Sequence, residues 1–239
     1  MTIHHSQLTT YHSLFSLKRP LFIISIVLLL DQILKFWIKT NMYIGQEFKI
    51  ADWFIIHFTE NNGMAFGMEF KGEFGKLFLS SFRIIVVAGI FWYLHHLVKT
   101  KAHPAFITAM SFVTAGALGN IIDSAFYGML FSSSEYQVAD FLPHAGGYAT
   151  FLHGKVVDMF YFPVIETHYP NWFPVWGGKE FIFFSPVFNL ADFSISTGVA
   201  IIILYNKSIF KEEKKEEQTT ASENSTSEIE NGLKEADGL

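Results

Sequence analysis

The chain has no cysteine. Disulfides, thiolate nucleophiles and Cys-based zinc sites are therefore excluded. Charge is scarce as well: 16% of the 239 residues are Asp, Glu, Lys or Arg, where a soluble domain carries about a quarter. There is no His-Glu-x-x-His pair, no P-loop and no Gly-x-Gly-x-x-Gly run. Zinc-protease, ATPase and dinucleotide readings lose their support. His95 and His96 are adjacent, so on a helix they project about 100° apart and cannot hold one ion from one face. What remains is apolar. Half the residues are hydrophobic and 27 are Phe, the composition of an integral membrane protein.

The formal net charge of −5 belongs to one end of the chain. Residues 211–239 hold four Lys against nine Asp or Glu, and the rest is neutral. A run such as KEEKKEEQTTASENSTSE has too little apolar surface to offset its ordering entropy. Residues 207–239 are expected to form a disordered acidic cytoplasmic tail, and residues 1–206 a membrane domain.

A transmembrane helix needs about 20 mostly apolar residues. Four windows qualify: Pro20–Ile38, Leu77–Val98, Pro104–Met129 and Phe188–Asn206. Pro20 and Pro104 suit the first turn of a helix. The first window is expected to stay uncleaved, because it lacks a small-residue cleavage site and runs on through Asp31 and Lys35. Lys18 and Arg19, Lys99 and Lys101, and Lys207, Lys211, Lys214 and Lys215 lie at alternate ends of the windows. The positive-inside bias then predicts cytoplasmic termini and outward loops at 39–76 and 130–187. In those loops FKIADWFIIHF, residues 48–58, reads as a strand. Trp172, Trp176, Tyr161 and Tyr169 read first as an interface anchor, with a substrate groove as the alternative.

The polar residues inside the windows fall toward one side. Asp31 and Lys35 are spaced i, i+4 in the outer half of the first helix, as a structural or a functional ion pair. Arg83 lies near the outer end of the second helix and reads as snorkelling to the headgroups. Asn120 and Asp123, and then Asn189 and Asp192, are i, i+3 pairs near the outer ends of the last two helices. Asp158, in GKVVDMF, can approach the same region from the loop. An ionisable group at membrane depth is costly and marks a candidate functional site. Two nearby carboxylates sharing a proton supply both a general base and a general acid. TAGALGN, Thr114 to Asn120, reads as a close-packing stripe. A Ser–Lys dyad from Ser80 or Ser81 with Lys35 has nothing in its spacing to single it out. An ion-binding transporter or lipid-binding protein would instead spread polar groups across the bilayer or to its midplane.

Five segments together resemble the lipoprotein signal peptidases, the type II signal peptidases of peptidase family A8. These are DQILK (Asp31–Lys35), NNGMAF (Asn61–Phe66), GNIID (Gly119–Asp123), VVDMF around Asp158 and FNLAD ending at Asp192. The resemblance covers about residues 20–206. It implies an all-α membrane protein of four transmembrane helices with a small extracytoplasmic β-sheet. It implies an aspartic endopeptidase that cleaves diacylglyceryl-modified prolipoproteins before the lipidated Cys, with no metal, no other cofactor and no nucleic-acid partner. A monomer in contact with membrane lipid is expected, in the bacterial inner membrane with its active site toward the outer face. Carried over residue by residue, Asp158 and Asp192 become the catalytic pair. Asn61, Gly63, Asn120 and Asn189 line the site, and Asp31, Lys35 and Asp123 brace the helices.

The chain departs from the family pattern in two places. Ser124 stands where the family usually has Arg, so Asp123 is expected to find its partner in Arg83 or another cation. The segments from Asn120 to Asp158 and from Asp158 to Asp192 are long. Their added residues, Ser132–Thr150 and Thr167–Glu180, are expected to cap the site. Asp140 in VADF mimics the VVDM block, and Asp158 is preferred for its closer match and its nearness to the last helix.

Overall fold

The computed structural model describes residues 3–62, 73–163 and, with gaps at 164, 169, 171, 173, 175–177, 179, 184 and 185, residues 165–209. Gly63, Tyr169, Trp176 and the tail from 210 onward lie outside the described residues.

Helix α1 runs Ile3–Asn41, α2 Glu73–Lys99 and α3 Pro104–Ile122. A further helix covers 190–209. Among the described residues, three segments are long and apolar enough to cross a membrane: Leu17–Asn41, Ser81–Lys99 and Pro104–Leu130. Their side chains are arranged inside out. Phe22, Ile85 and Trp92 are about two-thirds exposed, while Asp31, Lys35 and Asp123 are fully buried. Apolar surface turned outward and charge turned inward is stable where lipid replaces water.

Proline placement separates α1 from α3. Pro104 opens α3 at its first turn, beside His103, whose ring accepts from the Ala105 amide at 3.1 Å. Pro20, by contrast, lies inside α1, which begins well before it. The window boundary expected at Pro20 is thus not a helix start.

The third window is also not a uniform α-helix. Past Ile122 it widens into a π turn, Asp123–Tyr127, and ends in one more turn, Gly128–Leu130. The single strand expected over 48–58 is a hairpin. Strand β1 (Glu47–Ala51) pairs antiparallel with β2 (Phe54–Asn61), and the chain reverses at Asp52 and Trp53. Strand β3 (Val156–Tyr161) adds to β2, giving the sheet order β1-β2-β3. The ladder pairs Thr59 with Asp158, Glu60 with Val157 and Asn61 with Val156. Strands β4 (Ile165–His168) and β5 (Glu180–Phe183) form a separate pair.

One apolar cluster joins the sheet to the helices: Ile38, Met42, Phe58, Tyr127, Phe131, Val157 and Met159. Burying a side chain such as Phe58 or Met159 contributes about 1.5–3 kcal/mol. A second cluster, Ile24, Leu94, Val98 and Ala115, joins the first three helices.

The first insertion, Ser132–Thr150, which was expected to cap the site, is described throughout. It wraps the C-terminal end of α1. The Ile44 amide donates to the Ser134 carbonyl at 3.0 Å and the Ala139 amide to the Lys39 carbonyl at 3.2 Å. Phe131 and Phe141 pack edge-on against Phe36. The helix leaves carbonyls unpaired at that end, and the insertion supplies a donor for one of them.

Candidate active site

The site is assembled from α1, the end of α3, β2, β3 and the start of the last helix. Its base is Lys35, buried completely, with three partners. Its Nζ lies 2.9 Å from Asp31, 2.8 Å from Asp123 and 3.0 Å from Asn120 Oδ1. The expected i, i+4 pair therefore exists, and the cation that Asp123 meets is Lys35. Of the two expected alternatives, Arg83 or another cation, the contact is of the second kind.

Each carboxylate around Lys35 also holds another element. Asp31 Oδ1 accepts from the Ala191 amide at 2.9 Å, tying α1 to the first turn of the last helix. Asp123 Oδ2 accepts from the Val157 amide at 3.2 Å, tying α3 to β3 one residue before Asp158. Gln32 donates to Asp31 at 3.2 Å and to Asp123 at 3.0 Å, and accepts from the Tyr127 hydroxyl at 3.2 Å.

Gly116 and Gly119 let the last helix approach α3. A Cβ at Gly116 would collide with the Ala191 carbonyl, and one at Gly119 would fall 2.7 Å from Asp31 Oδ2. The small-residue stretch thus works as the packing stripe read from the sequence.

Asn120 and Asn189 then connect the two acids. The Asn120 oxygen accepts from Lys35, which can only donate, so its amide nitrogen faces the other way. It donates to Asp192 Oδ1 at 2.8 Å. Asn189 donates from Nδ2 to Asp158 Oδ1 at 2.7 Å and to Asn120 Oδ1 at 3.1 Å. Asn189 also caps the last helix: its Oδ1 accepts from the Asp192 amide at 2.9 Å, and Asp192 Oδ2 faces the Asn189 amide at 3.4 Å. This is the reciprocal capping box, with Asp192 at its third position.

Asp158 reaches the same point from the sheet. Asn61 donates to its Oδ2 from the end of β2. On its other edge β3 is held by Phe188: the Phe160 amide donates to the Phe188 carbonyl at 2.7 Å and the Phe188 amide to the Phe160 carbonyl at 3.1 Å. That bridge ends one residue before Asn189, which sets the distance between strand and helix.

The two acids sit in different surroundings. Asp158 is 3% exposed and Asp192 is half-buried. Burial, and then the nearby charge of Asp192, push the Asp158 carboxyl up from 3.8 to about 7; bonds from Asn189 and Asn61 and the charge of Lys35 oppose the rise. Arg83 is close enough to Asp192 for their charges to attract. Snorkelling alone does not describe that side chain.

Asp140 is exposed, and its amide donates to Ser132 Oγ at 2.8 Å. Of the residues singled out from the sequence, Asp31, Lys35, Asn61, Asn120, Asp123, Asp158, Asn189 and Asp192 form one hydrogen-bonded network. Gly63 lies outside the described residues. Gln32, Tyr127, Lys39 and Glu60 were not singled out. Lys39 had a usable signal, since it continues the Asp31, Lys35 spacing by one more i+4 step.

Comparison with known proteins covers this same region. Residues 23–207 match the model of the family described as Signal peptidase (SPase) II. A lipoprotein signal peptidase of Porphyromonas gingivalis is 50% identical over 183 residues, 76% of this chain and 80% of that protein. One of Amoebophilus asiaticus is 35% identical over 75% of this chain and 73% of its own. A solved bacterial membrane enzyme is 25% identical with a TM-score of 0.53, over 80% of this chain and 88% of that one.

Proposed function

This chain belongs to the signal peptidase II family, and from that premise we propose that Asp158 and Asp192 are the carboxylate pair that does its chemistry. The protein is a bacterial membrane protease that removes signal peptides from prolipoproteins. The observation that carries the assignment of the pair is Asn189. One side chain donates to Asp158 and accepts from the backbone of Asp192.

The difference in surroundings supports a division of roles. Asp158, buried and raised to about 7, is the protonated partner. Asp192 receives the Asn120 amide at a helix N-terminus, where the dipole favours an anion, and serves as the base. Asp192 takes a proton from a water as its oxygen adds to the scissile carbonyl carbon. Asp158 donates a hydrogen bond to the carbonyl oxygen as negative charge develops there. Collapse of the tetrahedral intermediate breaks the C–N bond, and the proton held by Asp192 goes to the departing amine. Asn61, Asn120 and Asn189 hold the acids in register, and Asp31, Lys35 and Asp123 hold the elements that carry them.

The finer reading is that the substrate Cys carries diacylglycerol and that the cut falls just before it. The helix at 190–209 serves as a fourth span, the termini are cytoplasmic and the site faces outward from the inner membrane. The enzyme acts as a monomer among lipid. Processing of a diacylglyceryl-modified prolipoprotein by Asp158→Asn and Asp192→Asn tests the pair. Each variant is expected to fold and to lose cleavage; normal cleavage by either one ends the assignment.

A further inference from the structure

A second buried ion pair lies behind the site, on α1 and β2. Lys39 is fully buried and its Nζ is 2.6 Å from Glu60 Oε1 and 2.7 Å from Ser134 Oγ. The same ammonium stands 5.4 Å from the Phe131 ring centre and 5.0 Å from that of Tyr148. The other oxygen of Glu60 faces Lys155 at 3.7 Å. Hydrolysis by the two acids makes no direct use of these groups.

Their place in the sheet gives them a role. Successive side chains of a strand point to opposite faces, and directly paired residues share a face. Thr59 pairs with Asp158 and Asn61 with Val156, so Asn61 and Asp158 share one face. Glu60 and Val157 share the other. Glu60 directly precedes Asn61, and Lys155 directly precedes β3. The ion cluster therefore grips the rear face of the two strand ends whose front face carries Asn61 and Asp158.

We infer that Lys39 and Glu60, with Ser134 and Lys155, are positioning residues for the peptidase centre, fixing the end of β2 so that the Asn61 amide stays on Asp158. The inference rests on the assignment of Asp158 above. It also gives the first insertion a role, because its Ser134 and Tyr148, with Phe131 just before it, stand against the fully buried Lys39 ammonium. A charge pair held this way resists sliding, because separating it leaves two uncompensated buried ions.

Steady-state cleavage of a diacylglyceryl-modified prolipoprotein by the full-length enzyme in lipid micelles tests this. Glu60→Gln is expected to lower kcat by roughly ten- to a hundred-fold, as a misplacement near 1 Å does, with KM within about twofold. Glu60→Gln/Asn61→Ala is expected to be no slower than Asn61→Ala alone, because both remove the same contact. Wild-type kcat in Glu60→Gln, or losses that multiply in the double variant, would overturn the inference. If Glu60→Gln does not fold, Lys155→Gln, at a partly exposed position, is read the same way: a smaller fall in kcat that Asn61→Ala masks supports the inference, and no fall or a multiplying one overturns it. Full kcat in Asn61→Ala is a separate failure. It would remove the site assignment on which the inference rests.

Discussion

Asn189 and Asp192 hold each other: the Asn189 side chain accepts from the Asp192 amide at 2.9 Å, and the Asp192 carboxylate faces the Asn189 amide at 3.4 Å. The same pair of residues starts a helix and orients a carboxylate. Structure and chemistry cannot be separated there by truncation alone.

Asn189→Ala is accordingly expected to do two things. It removes a helix cap, which costs about 1 kcal/mol, and it releases Asp158 from its 2.7 Å donor. Asn189→Ser keeps a capping oxygen but cannot donate to Asp158 from the same place. Thermal unfolding should show Ser near wild type and Ala lower, while both lose most of kcat. Equal activity in Ser and wild type would show that the bond to Asp158 is dispensable.

Lys35 is the shared cation of Asp31 and Asp123. Lys35→Met leaves two buried carboxylates facing each other without it. Breaking a buried pair by removing one partner costs about 3–5 kcal/mol. A fall in thermal stability of that order is expected in micelles, and Asp123→Asn added to Lys35→Met should recover part of it. No recovery would mean that the loss comes from packing.

Asp158 titrates higher in the folded protein, near 7, than its ordinary 3.8. The folded state thus holds the proton more tightly than the unfolded state. Its contribution to stability is full below about pH 4 and disappears as pH rises through 7. Wild type should lose stability over that interval relative to Asp158→Asn, which has no proton to release. Cleavage by wild type should also fall above pH 7 as the protonated form is lost. A rate that keeps rising past about pH 8 would contradict Asp158 as the acid.

At Gly119 the room is taken by Asp31 Oδ2 and the Ala191 side chain. Gly119→Ala should push α3 from the last helix by a few tenths of an ångström, and Gly119→Leu by far more. Overpacking of this kind costs about 1–3 kcal/mol. Activity should fall before stability does, since Asn120 is the next residue. Thermal unfolding and cleavage rates measured together test that order.

Much of this was legible in the residues. The helices announced themselves as apolar windows, and the polar side chains inside them converged because burying a charge in lipid leaves few other arrangements. Asn120, Asn189 and Asp192 were visible as members of i, i+3 pairs. What stayed hidden depended on contacts between distant segments. FKIADWFIIHF is apolar almost throughout, so nothing in its alternation marked the reversal at Asp52 and Trp53. The partner of Asp123 lay 88 positions away on α1. Pro20 looked like a boundary because a proline inside a helix is costly in water, yet neighbouring groups in a membrane can accommodate it. The insertion was expected to cap the site because its added length had no other assigned role; within it Ser134 and Tyr148 stand against the buried ammonium of Lys39.

The π turn at Asp123–Tyr127 has a bearing on how the chain tolerates change in length. A π turn behaves as one residue inserted into an α-helix. Deleting a single residue between Asp123 and Tyr127 would restore regular winding and rotate everything that follows by about 100°. Tyr127 would leave Gln32, and the segment that surrounds Lys39 would be carried round with it. The wider turn is therefore a register shim, and it lets one helix serve Lys35 on one side and the end of α1 on the other.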